Sequence, residues 1–281
     1  MLSYIIWDVN PELFSIGTFS VRWYGLLFAL GFLLGQQIML YIFKREGKPI
    51  TDIDALTIYM VAATVLGARI GHFLFYEPEV LLKNPLEVIL PPYRGLASHG
   101  AAIGILAGLW LYSRRASSRA TNQTFLWVTD RIVIAVALGG CFIRLGNLMN
   151  SEIVGRPTDV PWGFVFVNNT EYLQIPRHPA QLYEAISCFF ICLFLFWFWN
   201  RYKQNTPRGS LLGIFLIGVF GLRFFYEFLK ENQVEFENSL ALNMGQILSI
   251  PPVLAGIVLL VVSFRNRPSL PDPVRTHQQQ R

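Results

Sequence analysis

Long apolar stretches recur along the chain at the length one membrane crossing demands. Trp23 to Phe43 contains no Asp, Glu, Lys or Arg, and further apolar spans run from Ala55 to Tyr76, Leu96 to Tyr112, Phe125 to Ile143, Tyr183 to Trp199, Leu211 to Phe228 and Gly245 to Phe264. A hydrocarbon core of ~30 Å takes about 20 helical residues. The pattern therefore predicts an all-α polytopic membrane protein with about seven transmembrane helices. The first span does not read as a cleaved secretion signal, because no Lys or Arg precedes Arg22 and such signals open on a positive segment. Most connections are short. The exception is 144–182, where Gly155, Pro157, Pro161, Gly163, Pro176 and Pro179 punctuate a β-prone run from Phe164 to Val167; it reads as a small lid. The segment 265–281, with Pro268, Pro271, Pro273 and a Gln run, reads as a disordered tail.

Composition agrees with this pattern. Of 281 residues, 53% are apolar and 15% charged, against about 25% charged in a soluble domain, and the mean hydropathy is +0.42. Disorder is excluded by the apolar content, a disulfide scaffold by a total of only three Cys, and scattered Lys and Arg argue against nucleic acid as a partner. The net charge of +5 is a topology signal instead. Segments 44–53, 113–124, 200–209 and 265–281 hold 3, 3, 3 and 4 Lys or Arg, whereas 1–20, 77–94, 144–182 and 230–244 hold 0, 2, 3 and 1. Positive loops stay cytoplasmic, so the totals of thirteen and six put the N-terminus outside and the C-terminus inside. Residues 1–264 then form a single membrane-embedded domain with an extracytoplasmic lid at about 144–182, and 265–281 form a cytoplasmic tail.

A charge near the bilayer centre costs ~2.5 to 3.5 kcal/mol on insertion scales, so Arg22, Arg69, His72, His99 and Arg223 require a reason to be where they are. On this topology Arg69 lies about 10 Å below the outer end of its helix, with His72 at i+3 on the same face. His99 sits a turn below the outer surface, and Arg223 lies in an outer half with Glu227 at i+4. Arg22 and Tyr24 open the first helix on that side, and Arg144 closes the fourth. Polar residues of five helices thus converge on one leaflet. Simpler accounts stand beside a functional one: snorkelling for Arg22 and Arg144, a structural pair for Arg223 and Glu227, packing for a lone His99. Asp130 and Arg131, near the inner end of the fourth helix, read as a structural pair or anchor. Cys141, Cys188 and Cys192 lie in apolar runs without metal-ligand spacing and read as buried thiols. The functional account is phosphate recognition. Arginine's planar fork grips phosphate bidentately and never deprotonates, and a histidine, with an ordinary pKa of about 6.5, accepts a proton from a nucleophile. These residues point to a phospholipid-using enzyme of the outer leaflet and leave its acceptor open.

Residues 141–156 read CFIRLGNLMNSEIVGR, followed by PTDVPWG; 177–184 read RHPAQLYE; the third helix begins SHGAAIG; 22–26 read RWYGL; and the sixth helix carries R-x-x-x-E. Together these resemble the bacterial prolipoprotein diacylglyceryl transferase family, from Arg22 to about Phe264, and the R-x-G-N-x-x-N-x-E-x-x-G pattern is long enough to be specific. The resemblance implies a seven-helix enzyme of the bacterial cytoplasmic (inner) membrane, its site facing the periplasm or cell exterior. Such an enzyme moves the diacylglyceryl group of phosphatidylglycerol onto the lipobox Cys thiol of a prolipoprotein signal peptide. A thioether forms and glycerol phosphate leaves, as the first step of lipoprotein maturation, with no metal or organic cofactor. Its partners are the two substrates and the lipid bilayer.

Carried onto this sequence, the family's catalytic residues fall on His99, Arg144 and Arg223, and its substrate-binding residues on Tyr24, Arg144, Asn147, Glu152, Gly155 and Glu227. The signature also covers Gly146 and Asn150. In that scheme Arg144 and Arg223 hold the phosphodiester, Glu152 and Glu227 fix the arginine forks, and Asn147 and Tyr24 bond the headgroup. His99 either activates the thiol or orients the lipid. Ala101 stands where the family's HGG has its second Gly, and Ile143 and Ser151 replace small residues usual in the signature. A small-solute transporter is the alternative, since polar residues inside a helical bundle also mark translocation paths.

Overall fold

A computed structural model describes residues 4–17, 19–88, 95–172, 174–231 and 241–265; the tail 266–281 lies outside the described residues. In chain order the elements are β1 (Ile5–Trp7), β2 (Glu12–Ile16), β3 (Phe19–Arg22), α1 (Trp23–Arg45), α2 (Asp52–Tyr76), α3 (Pro78–Lys83), α4 (Ser98–Ser113), α5 (Ala116–Ala120), α6 (Phe125–Met149), β4 (Phe164–Phe166), α7 (Ala180–Tyr202), α8 (Ser210–Tyr226) and α9 (Met244–Arg265). Six of these, α1, α2, α6, α7, α8 and α9, are long and apolar enough to cross a membrane. The remaining span expected from the sequence is α4, whose 16 residues reach about 24 Å at 1.5 Å per residue, less than the full hydrocarbon thickness. Large apolar side chains such as Ile58, Ile103, Phe190 and Val258 point outward and stay exposed, as suits a lipid-facing surface.

Helices α2 and α4 meet along their main chains. A Cβ built on Gly100 would stand 2.3 Å from the Gly67 carbonyl oxygen, and one on Gly104 2.3 Å from that of Ala63. Only small residues let two helices approach this closely, and in lipid such packing replaces the hydrophobic effect as the glue. Helices α1, α6 and α7 pack around a buried cluster that includes Met39, Ile42, Phe43, Val128, Ile134, Leu195 and Trp199. Between α1, α2, α4 and α6 remains an apolar cavity of about 200 Å³, lined by Phe28, Phe32, Met60, Ile132 and Ile143 among others.

The end of the bundle where α1 stops and α6 starts is closed by buried ions. Glu46 accepts from Trp127 Nε1 (2.9 Å), Trp199 Nε1 (2.6 Å) and Arg131 (3.1 and 3.3 Å), tying three helices to one carboxylate. Asp130 accepts from the backbone N–H groups of Gly209 (2.5 Å) and Leu212 (2.9 Å), capping the start of α8 from a neighbouring helix. Asp130 and Arg131 are thus an anchor, but the main ionic partner of Arg131 is Glu46, with Asp130 farther off at 3.8 Å.

The opposite end carries a cap. Residues 1–20, which in sequence show only an absence of Lys and Arg, supply β1, and β1 pairs in parallel with β4 in the register Ile5↔Phe164, Trp7↔Phe166. Phe164 and Phe166 pack with Leu148 and Val154 into a small core of their own, against Trp7, Tyr172 and Leu182, and Trp7 Nε1 donates to the Leu148 carbonyl (3.0 Å). The sequence expectation ended the fourth span at Ile143 and opened the lid at 144. Helix α6 instead runs on to Met149, which places Arg144 and Asn147 on a rigid element beneath the cap.

Candidate active site

Arg144 lies on the last turns of α6, Glu184 on the second turn of α7 and Arg223 on the last turn of α8, so three helix ends bring their charges to the cap end of the bundle. Arg144 Nε lies 2.5 Å from Glu184 Oε2. The other oxygen of Glu184 is 2.6 Å from Lys230 Nζ, which is also 2.9 Å from Glu227 Oε1. Glu227 in turn faces Arg223 Nε at 3.5 Å. Arg144 and Arg223 are therefore the two ends of one chain of alternating charges. On its other side Arg144 donates to Asn147 Oδ1 (3.3 Å), and Glu152 Oε1 accepts from Asn147 Nδ2 (2.7 Å) and Asn150 Nδ2 (3.3 Å). The arginine side chains keep 23% and 36% of their surface exposed, so each guanidinium is oriented by carboxylates while part of it faces open space. That arrangement suits an anionic ligand added between them.

Close backbone approaches set this geometry. A Cβ on Gly146 would meet the Tyr24 ring at 2.7 Å, which seats Tyr24 against α6, in the field of Glu152 and Arg144. A Cβ on Gly155 would lie 2.6 Å from the His178 carbonyl oxygen and 2.8 Å from that of Leu229. Gly155 N donates to the His178 carbonyl (3.0 Å), and Gly155 bridges Lys230 in antiparallel fashion. This glycine therefore sits where cap, α7 entrance and α8 exit touch. A Cβ on Gly245 would fall 2.4 Å from the Glu227 carboxyl carbon, so α9 wedges that carboxylate in place.

The structure joins Tyr24, Arg144, Asn147, Glu152, Gly155, Arg223 and Glu227 into this one region. His99 stands apart. It is exposed on the first turn of α4, and among the described residues its ring contacts are Phe75 (4.8 Å) and Tyr76 (6.0 Å) of α2. His72 stacks on Tyr76 and lies 3.6 Å from Glu77, Arg69 is buried with its cation over Phe73, and Arg22 pairs with Glu12 in the hairpin at 3.5 Å. One expected role is corrected: Glu184 holds the Arg144 fork, and Glu152 reaches Arg144 only through Asn147. Two residues of the network were assigned no part in the sequence. Glu184 closes the RHPAQLYE stretch, and Lys230 counted only as a loop charge, although its place three residues after Glu227 was visible.

At the mouth of α7, Trp162 Nε1 donates to Tyr183 Oη (2.8 Å), which lies 3.2 Å from His178 Nδ1. Burial pushes the His178 imidazole below its ordinary value of 6.5, which favours the neutral ring as the partner of the tyrosine hydroxyl.

Comparison with known proteins gives this site its context. The family model described as prolipoprotein diacylglyceryl transferase matches residues 11–262. The chain belongs to the prolipoprotein diacylglyceryl transferase family. Proteins named phosphatidylglycerol–prolipoprotein diacylglyceryl transferase from Chloroherpeton thalassium, Tolumonas auensis and Bacteroides fragilis are 48%, 45% and 44% identical to it. The matches cover 94%, 94% and 92% of this chain and 96%, 99% and 95% of those proteins. Membership in this transferase family gives the transporter alternative no support.

Proposed function

We propose that this protein transfers the diacylglyceryl group of phosphatidylglycerol to the lipobox cysteine of a prolipoprotein, at the extracytoplasmic face of a bacterial cytoplasmic membrane. The observation that carries the reading is the linkage of Arg144 and Arg223 through Glu184, Lys230 and Glu227, because two linked, permanent cations that each keep an exposed face suit recognition of an anionic headgroup. The facing is supported by charge: Lys44, Arg45, Arg114 and Arg201 all lie at the other end of the bundle, the side that positive loops keep cytoplasmic.

In the reaction the thiol sulfur attacks the glycerol carbon that bears the phosphate ester. The C–S bond forms, the C–O bond breaks, and its electron pair leaves on the phosphate oxygen of glycerol phosphate. Arg144 and Arg223 hold the phosphodiester, and their contacts strengthen as charge grows on the leaving oxygen, which is what lowers a barrier. Asn147 and Tyr24 supply hydrogen bonds to the headgroup. His99, exposed and outside the ion chain, takes the thiol proton, since the thiolate is the nucleophile. Acyl chains run down beside Ile143 along the apolar cavity between α1, α2, α4 and α6. The test is incubation of purified protein with labelled phosphatidylglycerol and a lipobox peptide. Lipidated peptide and glycerol phosphate are expected in equal amounts; label recovered in free diacylglycerol or phosphatidic acid instead overturns the reading.

A further inference from the structure

Lys230 is the most enclosed cation of the site, at 3% exposure, and it touches both carboxylates that orient the arginines. Its Nζ lies 2.6 Å from Glu184 and 2.9 Å from Glu227. Resting on the function proposed above, we propose that Lys230 is a positioning residue for the anionic lipid: by sharing both carboxylates it keeps the two arginine forks open to a phosphodiester.

The argument is first one of charge. Arg144, Arg223 and Lys230 face Glu152, Glu184 and Glu227, three of each sign, so the site is neutral before lipid enters. Without the lysine charge the same groups sum to −1. Glu184 and Glu227 then have no cation besides the arginines and pull them fully into ion pairs, and the net negative charge repels phosphate at short range, where the low dielectric makes each unit count.

The second argument is preorganisation. The main chain of Lys230 is fixed by the cap, through the bridge to Gly155, the bond from Arg156 Nε to the Lys230 carbonyl (2.9 Å) and the bond from Arg156 N to the Leu229 carbonyl (2.7 Å). The next residue, Glu231, is held by Arg177 Nη1 at 2.6 Å. The Glu227 carboxylate lies against the main chain of Gly245, in space that a Cβ there would take. The ammonium is thus presented at a set position and need not be recruited when the substrate arrives. Enclosed as it is, Lys230 acts through the arginines and does not touch the reacting atoms.

The experiment measures transfer and direct phosphatidylglycerol binding for wild type, Lys230→Met and Lys230→Arg in phosphatidylethanolamine nanodiscs doped with phosphatidylglycerol. For Lys230→Met, KM and Kd for phosphatidylglycerol are expected to rise about tenfold or more, with the peptide KM unchanged. Lys230→Arg, which keeps the charge, is expected to return both within about threefold of wild type. A Met variant with wild-type lipid affinity overturns the proposal, as does an Arg variant that fails to rescue, or a Met variant that weakens lipid and peptide equally. If Lys230→Met does not fold, Lys230→Gln carries the same expectation, and failure of both to fold overturns the proposal by making the residue a requirement of the bundle. Wild type that binds phosphatidylglycerol and transfers nothing counts against the transferase reading alone, while the binding constants still decide the role of Lys230.

Discussion

Both ends of the bundle bury a carboxylate among cations, and they differ in how completely it is used up. At one end Glu46 accepts four hydrogen bonds from Arg131, Trp127 and Trp199, and Arg131 is 1% exposed with its cation over the Trp127 ring at 5.1 Å. At the other end Glu184 and Glu227 are each divided between an arginine and Lys230, and the arginines keep a quarter to a third of their side chains uncovered. The Glu46 carboxylate is saturated, and Arg131 is shut away from any ligand. The second cluster has donors to spare. The same residue types therefore serve cohesion when every partner is internal and chemistry when one place is left vacant.

Substitutions can break this contrast from either side. The largest effect is expected for Arg144→Ala, which removes one jaw of the anion site. Transfer should fall about 10³-fold, the scale of losing a preorganised donor to developing charge, while membrane insertion and thermal midpoint stay close to wild type. Transfer within tenfold of wild type removes the phosphate-clamp role. At the saturated end Arg131→Met should do the opposite. It strands Glu46 among two indoles and costs about 3 kcal/mol of stability, read as a lowered unfolding midpoint in detergent, with the phosphatidylglycerol KM of the folded fraction unchanged. A shifted lipid KM there would blur the distinction between the two ends.

Gly155→Ala tests whether the cap positions the open cluster. The added methyl meets two carbonyl oxygens at under 3 Å, so the cap must shift, at a cost of about 1–3 kcal/mol, and transfer should drop while Arg131, at the far end, keeps its protection from solvent. The smallest effect concerns His178. Its folded pKa lies below the ordinary 6.5, so the unfolded state binds the proton more readily. The stability this contributes is complete above about pH 6.5 and is lost as pH falls below that value. Protection factors of the Gly155 and His178 amides, which correct for the intrinsic pH dependence of exchange, should fall on acidification through this window and lose that dependence in His178→Gln. Protection factors that rise instead assign the imidazole the opposite shift.

How much of this was legible in the sequence depends on separation along the chain. The pair Arg223 and Glu227 could be read from helical spacing alone, and Arg144 and Asn147 from a signature that also lies within one helix. Glu184 and Lys230 join that region only in three dimensions. Periodicity says which face of its own helix a residue occupies and nothing of what faces it. Glu46 was hidden for a further reason: it lies in a charged turn, KREGK, where an acidic residue is unremarkable in composition, yet its partner Arg131 is 85 positions away. Strand β1 escaped because three residues carry too little alternation to stand out, and its pairing with β4 links the two ends of a long intervening stretch. The cap's β4, by contrast, was announced by the Phe164 to Val167 run between prolines.

The seam between α2 and α4 has a mechanical consequence. Two rods that touch main chain to main chain have no side chains between them to absorb a change of shape, so they translate and tilt as one beam. His99 stands at the tip of that beam. A methyl placed at Gly108, roughly two and a half turns away, would collide with Ala63 and shift the imidazole against Phe75 and Tyr76 of α2. Damage to catalysis can therefore originate deep in the lipid, far from every group that meets the substrate.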